Sequence, residues 1–522
     1  MPLFEPVLPD PGLFGKLERI CGSGGVSVNE PDRIAYARDM WPRSLIRQRF
    51  GTVDSPPDAI VWPQTAKQVS EVVLLARKAG LPVVPFGAGS GVCGGTLPLR
   101  GGIVLDLKRL NRILDFSAED HLLVVEAGAV GENLEREVNR RGFTIGHFPS
   151  SMYCSTVGGW IAARGAGQCS SRYGKIEDMV QSLTFIDAEG QEHTTPFRWP
   201  GMSAWSIDPL LVGSEGTLGI ITSASLVIRE LSAERWYRGF KFPNVASGVE
   251  GMRLIFRQGL RPAVVRLYDE FDTVIAKTGP EEEDVAEPVL SGLGGKVAGP
   301  LKRLATLGLK RLLQSPRMLN RMVDMLPGGC LMVVVAEGVD EERSHTSEAI
   351  TTLCRSRGAI DLGEGPGRHW WNHRYGISYK QSALFAAGAF VDTMEVATTW
   401  DRIPSLYKAV RKAVSPLAFI MAHFSHGYRE GCSIYFTFAA AAKDDAVSAA
   451  LYDRIWDAAQ GAVLSEGAVV SHHHGVGMSK QRFLVQQLAE ATVLAQAAKT
   501  AFDTGGLFNP GKLGQRGGSV PP

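Results

Sequence analysis

The residues best suited to proton chemistry crowd one end of the chain: five of the 11 histidines, at 423, 426, 472, 473 and 474, fall within the last hundred of 522 residues. Consecutive His472, His473 and His474 look at first like a metal tract. Neighbours in an extended chain point to opposite faces, so three adjacent imidazoles rarely close one tetrahedral site, and no metal is expected. Gly475 and Gly477 follow at once and let the backbone approach a ligand closely. Imidazoles there can orient an oxyanion or move protons near pH 7. The alternative is a buried, hydrogen-bonded histidine cluster.

Glycine gives the second signal. The 59 glycines cluster in short runs, of which 87–95 (GAGSGVCGG), 149–165 (PSSMYCSTVGGWIAARG) and 213–219 (GSEGTLG) stand out. The first tempts a dinucleotide fingerprint, but no helix opens on its last glycine and no acidic ribose ligand follows about 20 residues on. Successive backbone N–H groups in a glycine nest can still hold a pyrophosphate. The second run combines small hydroxyls, adjacent glycines and one cation, which suits a diphosphate–ribityl chain. Each run alone also reads as a glycine-rich hairpin or a core turn; three in one chain favour a ligand.

Around these runs the elements are readable. Thr65 and Gln68 form a capping box before Val69, Val72, Val73 and Ala76, which share a helical face ended by Gly80. Residues 82–86, 103–107 and 122–126 read as strands and 132–140 as a helix, so the first glycine run joins strand to strand. From 237 onward strand, helix and strand alternate (237–242, 245–257, 264–268), and the order recurs to 433–438. That pattern describes a mainly antiparallel sheet with helices on one face. The fold class expected is α+β. The domains expected are a helical extension (1–54), a cofactor domain (55–233), a cap (234–460) and a C-terminal segment completing the site (461–522). Within the cap, an insertion at 290–326 carries Lys296, Lys302, Arg303, Lys310, Arg311, Arg317 and Arg321 interleaved with leucines. It reads either as a solvated helical insertion or as a basic amphipathic helix resting on an anionic bilayer.

Composition excludes several classes. At about 100–200 residues per domain the length rules out one compact domain. Apolar residues at 44% and charged ones at 21% are ordinary globular usage, so the chain is not a disordered polymer. A balance of 55 basic against 54 acidic residues is too weak a field for nucleic-acid binding by counterion release. Seven cysteines without a CxxC pair suggest a reducing compartment. No apolar run approaches ~18 residues, and the N-terminus lacks the basic and apolar regions of a signal peptide. A cytoplasmic protein, at most peripheral to a membrane, is expected.

Taken together, residues 85–95, 149–164, 213–219, 471–477 and the closing FNPGK (508–512) resemble the vanillyl-alcohol-oxidase (VAO/PCMH) type of FAD-binding flavoprotein. In detail STVGGWIAARGAG (155–167), RYGKIEDMV (172–180), PAVVRLYD (262–269), SIYFTF (433–438) and SHHHGVG (471–477) resemble its alkyldihydroxyacetonephosphate synthase branch. The triple histidine separates that branch from the related D-lactate and D-2-hydroxyacid dehydrogenases. The resemblance implies a two-part FAD-binding domain, an antiparallel-sheet cap, and non-covalent FAD acting without net redox change. It further implies a transferase that exchanges the acyl group of acyl-dihydroxyacetone phosphate for a fatty alcohol. An FAD-linked oxidase or dehydrogenase of a 2-hydroxy acid or alcohol is the alternative.

Carried onto this sequence, the resemblance makes Tyr435 the acid/base, His472, His473 and His474 its essential histidines, and Arg266 a supporting charge. Flavin contacts fall on Pro85, Phe86, Gly87, Ala88, Gly89, Ser90 and Gly91, and on Pro149, Ser150, Ser151, Met152, Tyr153, Cys154 and Ser155. They continue through Ala162, Ala163, Arg164 and Gly165, and through Glu215, Gly216, Thr217, Leu218, Gly219, Ile220 and Ile221. The chain departs from the pattern at Gln381, where relatives have a phosphate-binding arginine. Lys380 or Arg374 is the candidate substitute, although lysine lacks the bidentate fork. The partners expected are a lipid substrate, a second copy in a homodimer, and a membrane surface contacted through 296–323, with no nucleic acid.

Overall fold

The computed structural model describes the chain apart from residues 1–11, 50, 199–205, 233, 278–309, 325–327, 377–381 and 515–522. The chain divides into two compact units: residues 1–231 with 473–522, and residues 232–472.

In the first unit the expected helix forms at Ala66–Ala79, with the Thr65 hydroxyl accepting the Gln68 N–H and Gly80 closing it at φ +67°. Val69, Val72, Val73 and Ala76 are completely buried in a core that includes the strands Ala59–Val61, Val83–Phe86 and Ile103–Asp106. Each such valine contributes about 1.5–3 kcal/mol of burial. Both outer strands of that trio run parallel to Ile103–Asp106. The first glycine run is therefore not a hairpin tip. It lies in the crossover that a parallel pair requires. A second sheet is antiparallel, in the order Ile113–Ser117, Leu122–Glu126, Ile220–Val227, Val180–Ile186, Glu192–Thr194. The C-terminal segment is stitched into this unit: Val83 N–H donates to Leu507 O (2.8 Å), Asn509 N–H donates to Val83 O (2.9 Å), and Phe508 is fully buried between.

The second unit holds a seven-stranded antiparallel sheet, in the order Ile360–Asp361, Arg235–Phe242, Cys330–Glu337, Val264–Tyr268, Phe419–Gly427, Gly431–Ala441, Ala389–Thr399. Its two faces differ because side chains alternate along each strand. Tyr407, on the helix Ile403–Val414, packs its ring against Phe424 and Phe436, and Tyr452, on the helix Asp445–Ser465, packs against Phe390 and Phe438. Asp392 is pinned on that same face by the Tyr452 hydroxyl (2.5 Å) and the Trp456 indole (3.1 Å). The odd-numbered residues 419–425 and 433–441 of the adjacent strands Phe419–Gly427 and Gly431–Ala441 point to the opposite face.

Of the basic insertion, Lys296, Lys302 and Arg303 lie outside the described residues. The described remainder includes the helix Pro316–Asp324. Leu313 and Leu319 pack beside Val391 and Phe419, and the buried Asn320 amide donates to Ser415 O and Ala418 O. Arg317, Met318, Arg321 and Met322 face outward.

Candidate active site

Strand register builds the site. Tyr268 is paired with His423, His423 with Tyr435, and Tyr435 with Glu395. Four strands thus present one cross-strand row, Tyr268–His423–Tyr435–Glu395, on the face away from Tyr407 and Tyr452. Arg266, two residues before Tyr268, joins the same face. The His423 and Tyr435 rings stack with centroids 4.6 Å apart and planes 18° off parallel.

Each member of the row has its orientation fixed. Asp272 Oδ2 accepts from His423 Nδ1 at 3.0 Å, which leaves His423 Nε2 to accept from the Arg266 guanidinium. That guanidinium also lies over the rings of Tyr268 and Tyr435, 5.4 and 5.9 Å from their centroids. Glu395 is completely buried and accepts from the His472 N–H (2.5 Å) and the Ser471 hydroxyl (2.8 Å). Through Glu395 the chain after Val470 is tied to the row.

The electrostatics favour neutral partners. Burial, helped by the Arg266 charge, pushes His423 well below the usual imidazole range. Burial, with His472 and Arg266 adding to it, does the same to His426. Burial and the Glu395 carboxylate push the Tyr435 phenol up. Desolvation alone raises Asp272 to about 7, with Arg266 opposing. The row is a protonated phenol among imidazoles kept free of charge, an arrangement that exchanges protons without first discharging an ion pair.

Of the sequence-predicted histidine trio, His472 has its ring centroid 5.6 Å from those of both His426 and Tyr428. Among the substrate candidates, Arg374 donates to Trp371 O and stacks 3.9 Å over the Trp371 ring. Lys380 and Gln381 lie outside the described residues.

In the first unit the three glycine runs are laced together. Gly213 N–H donates to Ile161 O and Glu215 N–H to Ala162 O, both at 2.9 Å. The Asn509 amide donates to Gly95 O (2.9 Å) and Glu215 O (2.8 Å). Gly158 and Gly216 are among the positions that require glycine: a Cβ on Gly158 would stand 2.9 Å from the Ala127 Cβ, and one on Gly216, at φ +68°, 2.8 Å from the Pro85 ring. Arg164 and Glu215 hold positive φ angles of 55° and 50° without that excuse, strain of a kind that gathers at ligand sites. Of the predicted flavin contacts, Phe86, Met152, Ser155, Thr217, Leu218, Ile220 and Ile221 are buried.

One of the buried side chains of this unit without a hydrogen-bonding partner among the described residues borders the glycine runs. His147 is wholly buried against Trp160, with ring centroids 4.6 Å apart, and neither ring nitrogen meets a hydrogen-bonding atom of the described residues. Burial drives its pKa down to about 3. A Cβ on Gly165 would lie 3.5 Å from His147 Nε2, so this imidazole borders the second glycine run. An orphaned polar ring beside strained, glycine-lined loops fits a polar ligand such as a dinucleotide.

Family models agree with this reading. Residues 57–196 match the FAD binding domain, and residues 231–513 match the C-terminal domain of FAD linked oxidases. The chain belongs to the FAD-linked oxidase family: it is an enzyme of the VAO/PCMH fold that uses FAD. Within that family it is alkyldihydroxyacetonephosphate synthase-like. The alkyldihydroxyacetonephosphate synthase of Trypanosoma brucei brucei is 28% identical over 521 residues, covering 97% of this chain and 81% of that protein. A solved alkyldihydroxyacetonephosphate synthase superposes with a TM-score of 0.76 at 26% identity, covering 97% of this chain and 85% of its own. Glycolate oxidase subunit GlcD of Bacillus subtilis is 24% identical over 505 residues, covering 95% and 96%.

Attachment of the flavin is expected to be non-covalent. The run 87–95 contains no histidine, and desolvation raises the Cys154 thiol, which disfavours the reactive thiolate. Acid precipitation of the yellow protein is expected to leave the colour in the supernatant; a yellow pellet would contradict this.

Proposed function

We propose that the protein exchanges the acyl group of acyl-dihydroxyacetone phosphate for a fatty alcohol, forming an ether. The observation that carries the reading is the Tyr268–His423–Tyr435–Glu395 row with Arg266 and His472. The reaction needs a proton removed from an alcohol hydroxyl and supplies none of the groups that remove it. Tyr435 is the acid/base; Arg266 and the neutral His423 fix its ring and place positive charge beside it. FAD, when bound, supplies the electrophilic and electron-storing ring chemistry. Pro85–Gly91, Pro149–Ser155, Ala162–Gly165 and Glu215–Ile221 are its proposed contacts, with His473 and His474 completing the site. Arg374 is the cation assigned to the substrate phosphate.

Similarity supports the transferase over the oxidase: 28% identity to the synthase exceeds the 24% to the glycolate oxidase subunit, and the triple histidine points the same way. The outward face of Pro316–Asp324, with Arg317 and Arg321 beside Met318 and Met322 at 54% and 57% exposure, supports contact with an anionic lipid surface. Incubation with acyl-dihydroxyacetone phosphate and labelled fatty alcohol is expected to yield labelled ether, faster from anionic than from neutral vesicles. Bleaching of the flavin by D-lactate or a similar hydroxy acid, with no ether formed, would favour the oxidase. Equal rates from both vesicles would remove the membrane role alone.

A further inference from the structure

We propose that His426 is the proton partner of Tyr435, an assignment that rests on the function just proposed and extends it. His426 breaks the pleat of its strand. Ser425 pairs with Ser433 and Gly427 with Cys432, so His426 is the extra residue of a β-bulge, at φ +49°. A non-glycine residue in that region is strained by roughly 1–3 kcal/mol. Bulges beside active sites re-aim a side chain that regular alternation would send elsewhere. Here the result is a ring whose Nε2 lies 3.3 Å from the Tyr435 hydroxyl.

The ring also reaches onward. Its centroid is 5.9 Å from that of Tyr435 and 5.6 Å from that of His472. His426 is buried, while His472 is partly open to solvent. The charged and titratable groups around the pair are Arg266 from one neighbouring strand, His423 from the same strand as His426, Glu395 from another, and Tyr428 and His472 from the connecting segments. With the imidazole neutral and its proton on Nδ1, the phenol donates to the Nε2 lone pair.

The transfer balances as follows. As the alcohol oxygen bonds to carbon its O–H breaks and the proton joins Tyr435 Oη; the phenolic proton crosses to His426 Nε2, giving an imidazolium beside Glu395. Tyr435 ends as it began. The imidazolium then releases its proton by way of His472 to solvent, matching the one proton set free when ester and alcohol become ether and carboxylate.

His426→Gly tests the assignment, because glycine accepts the positive φ without strain and leaves a gap the size of an imidazole. Expected are unchanged flavin absorption, an exchange rate lower by roughly 10²-fold or more, and partial recovery on adding imidazole. His426→Gln, which keeps a hydrogen-bonding group but carries no proton, is expected to be equally slow. A rate within threefold of wild type in either variant overturns the assignment. Failure of the wild-type protein to form ether would instead overturn the proposed function. The pairing is then read without turnover, from the ring carbon NMR signal of labelled Tyr435, which moves on His426→Gly if the phenol donates to that ring and stays in place if it does not.

Discussion

Replacing Tyr435 by phenylalanine is expected to slow ether formation by roughly 10²–10⁴-fold, the usual share of a positioned acid/base. At 1.36 kcal/mol per decade that is about 3–5 kcal/mol of barrier. The fold should barely notice. The ring keeps its stack on His423 and its place beneath Arg266, since neither contact uses the hydroxyl. The loss includes the hydrogen bond to His426, about 1 kcal/mol. Flavin absorption and thermal unfolding should therefore match wild type while turnover collapses. A variant within threefold of wild-type turnover would remove Tyr435 from the chemistry and leave the row a structural feature. A variant that loses flavin would show that the ring, rather than its oxygen, matters.

The row also shows what pattern reading reaches and where it stops. Period-two strands and the capped helix at Ala66–Ala79 are local signals, so they were readable from spacing alone. Motif resemblance placed Tyr435 and Arg266, which the sheet brings together. Glu395 and Asp272 went unnoticed, because nothing in GAFVDTMEVATTW or LYDEFDT marks them; only the register that sets Glu395 against Tyr435 gives the first its meaning. His423 and His426 drew attention as histidines, yet their roles depend on strand pairing and on a bulge that no turn residue announces. His147 was missed for a different reason. A lone histidine in TIGHFPSS carries no pattern, and its significance lies in having no partner once buried. The parallel pairing across the first glycine run was likewise invisible, since a glycine-rich link between two short strands reads equally well as a hairpin.

Glu215 offers the sharper test of the flavin loops, and replacing it by alanine is expected to yield a protein without yellow colour. This residue sits where every relevant segment of the first unit meets. Its N–H donates to Ala162 O in the second glycine run, and its carbonyl accepts from Asn509, which also holds Gly95 of the first. Its carboxylate accepts the N–H groups of Val476 and Gly477, just beyond His473 and His474. Burial raises the carboxyl pKa, while those N–H groups, Lys512 and Lys480 oppose the rise and favour the charged form. Lys512, itself pushed down to about 8 by burial, depends in turn on Glu215 and Asp39. Alanine leaves two amide hydrogens without their acceptor, weakens the compensation of a buried lysine, and keeps the strained φ. Costs of that kind come to about 2–5 kcal/mol, which for a unit of this size corresponds to a fall in Tm on the order of 10 °C. Glutamine should fall between the two, since its amide supplies one acceptor oxygen but turns a donor toward the same N–H groups. Flavin absorbance after desalting and the unfolding temperature measure both effects. If Glu215→Ala kept its full complement of flavin and unfolded within about 2 °C of wild type, the three glycine runs would not be held by this carboxylate, and the proposed FAD contacts at Glu215–Ile221 would have to be abandoned.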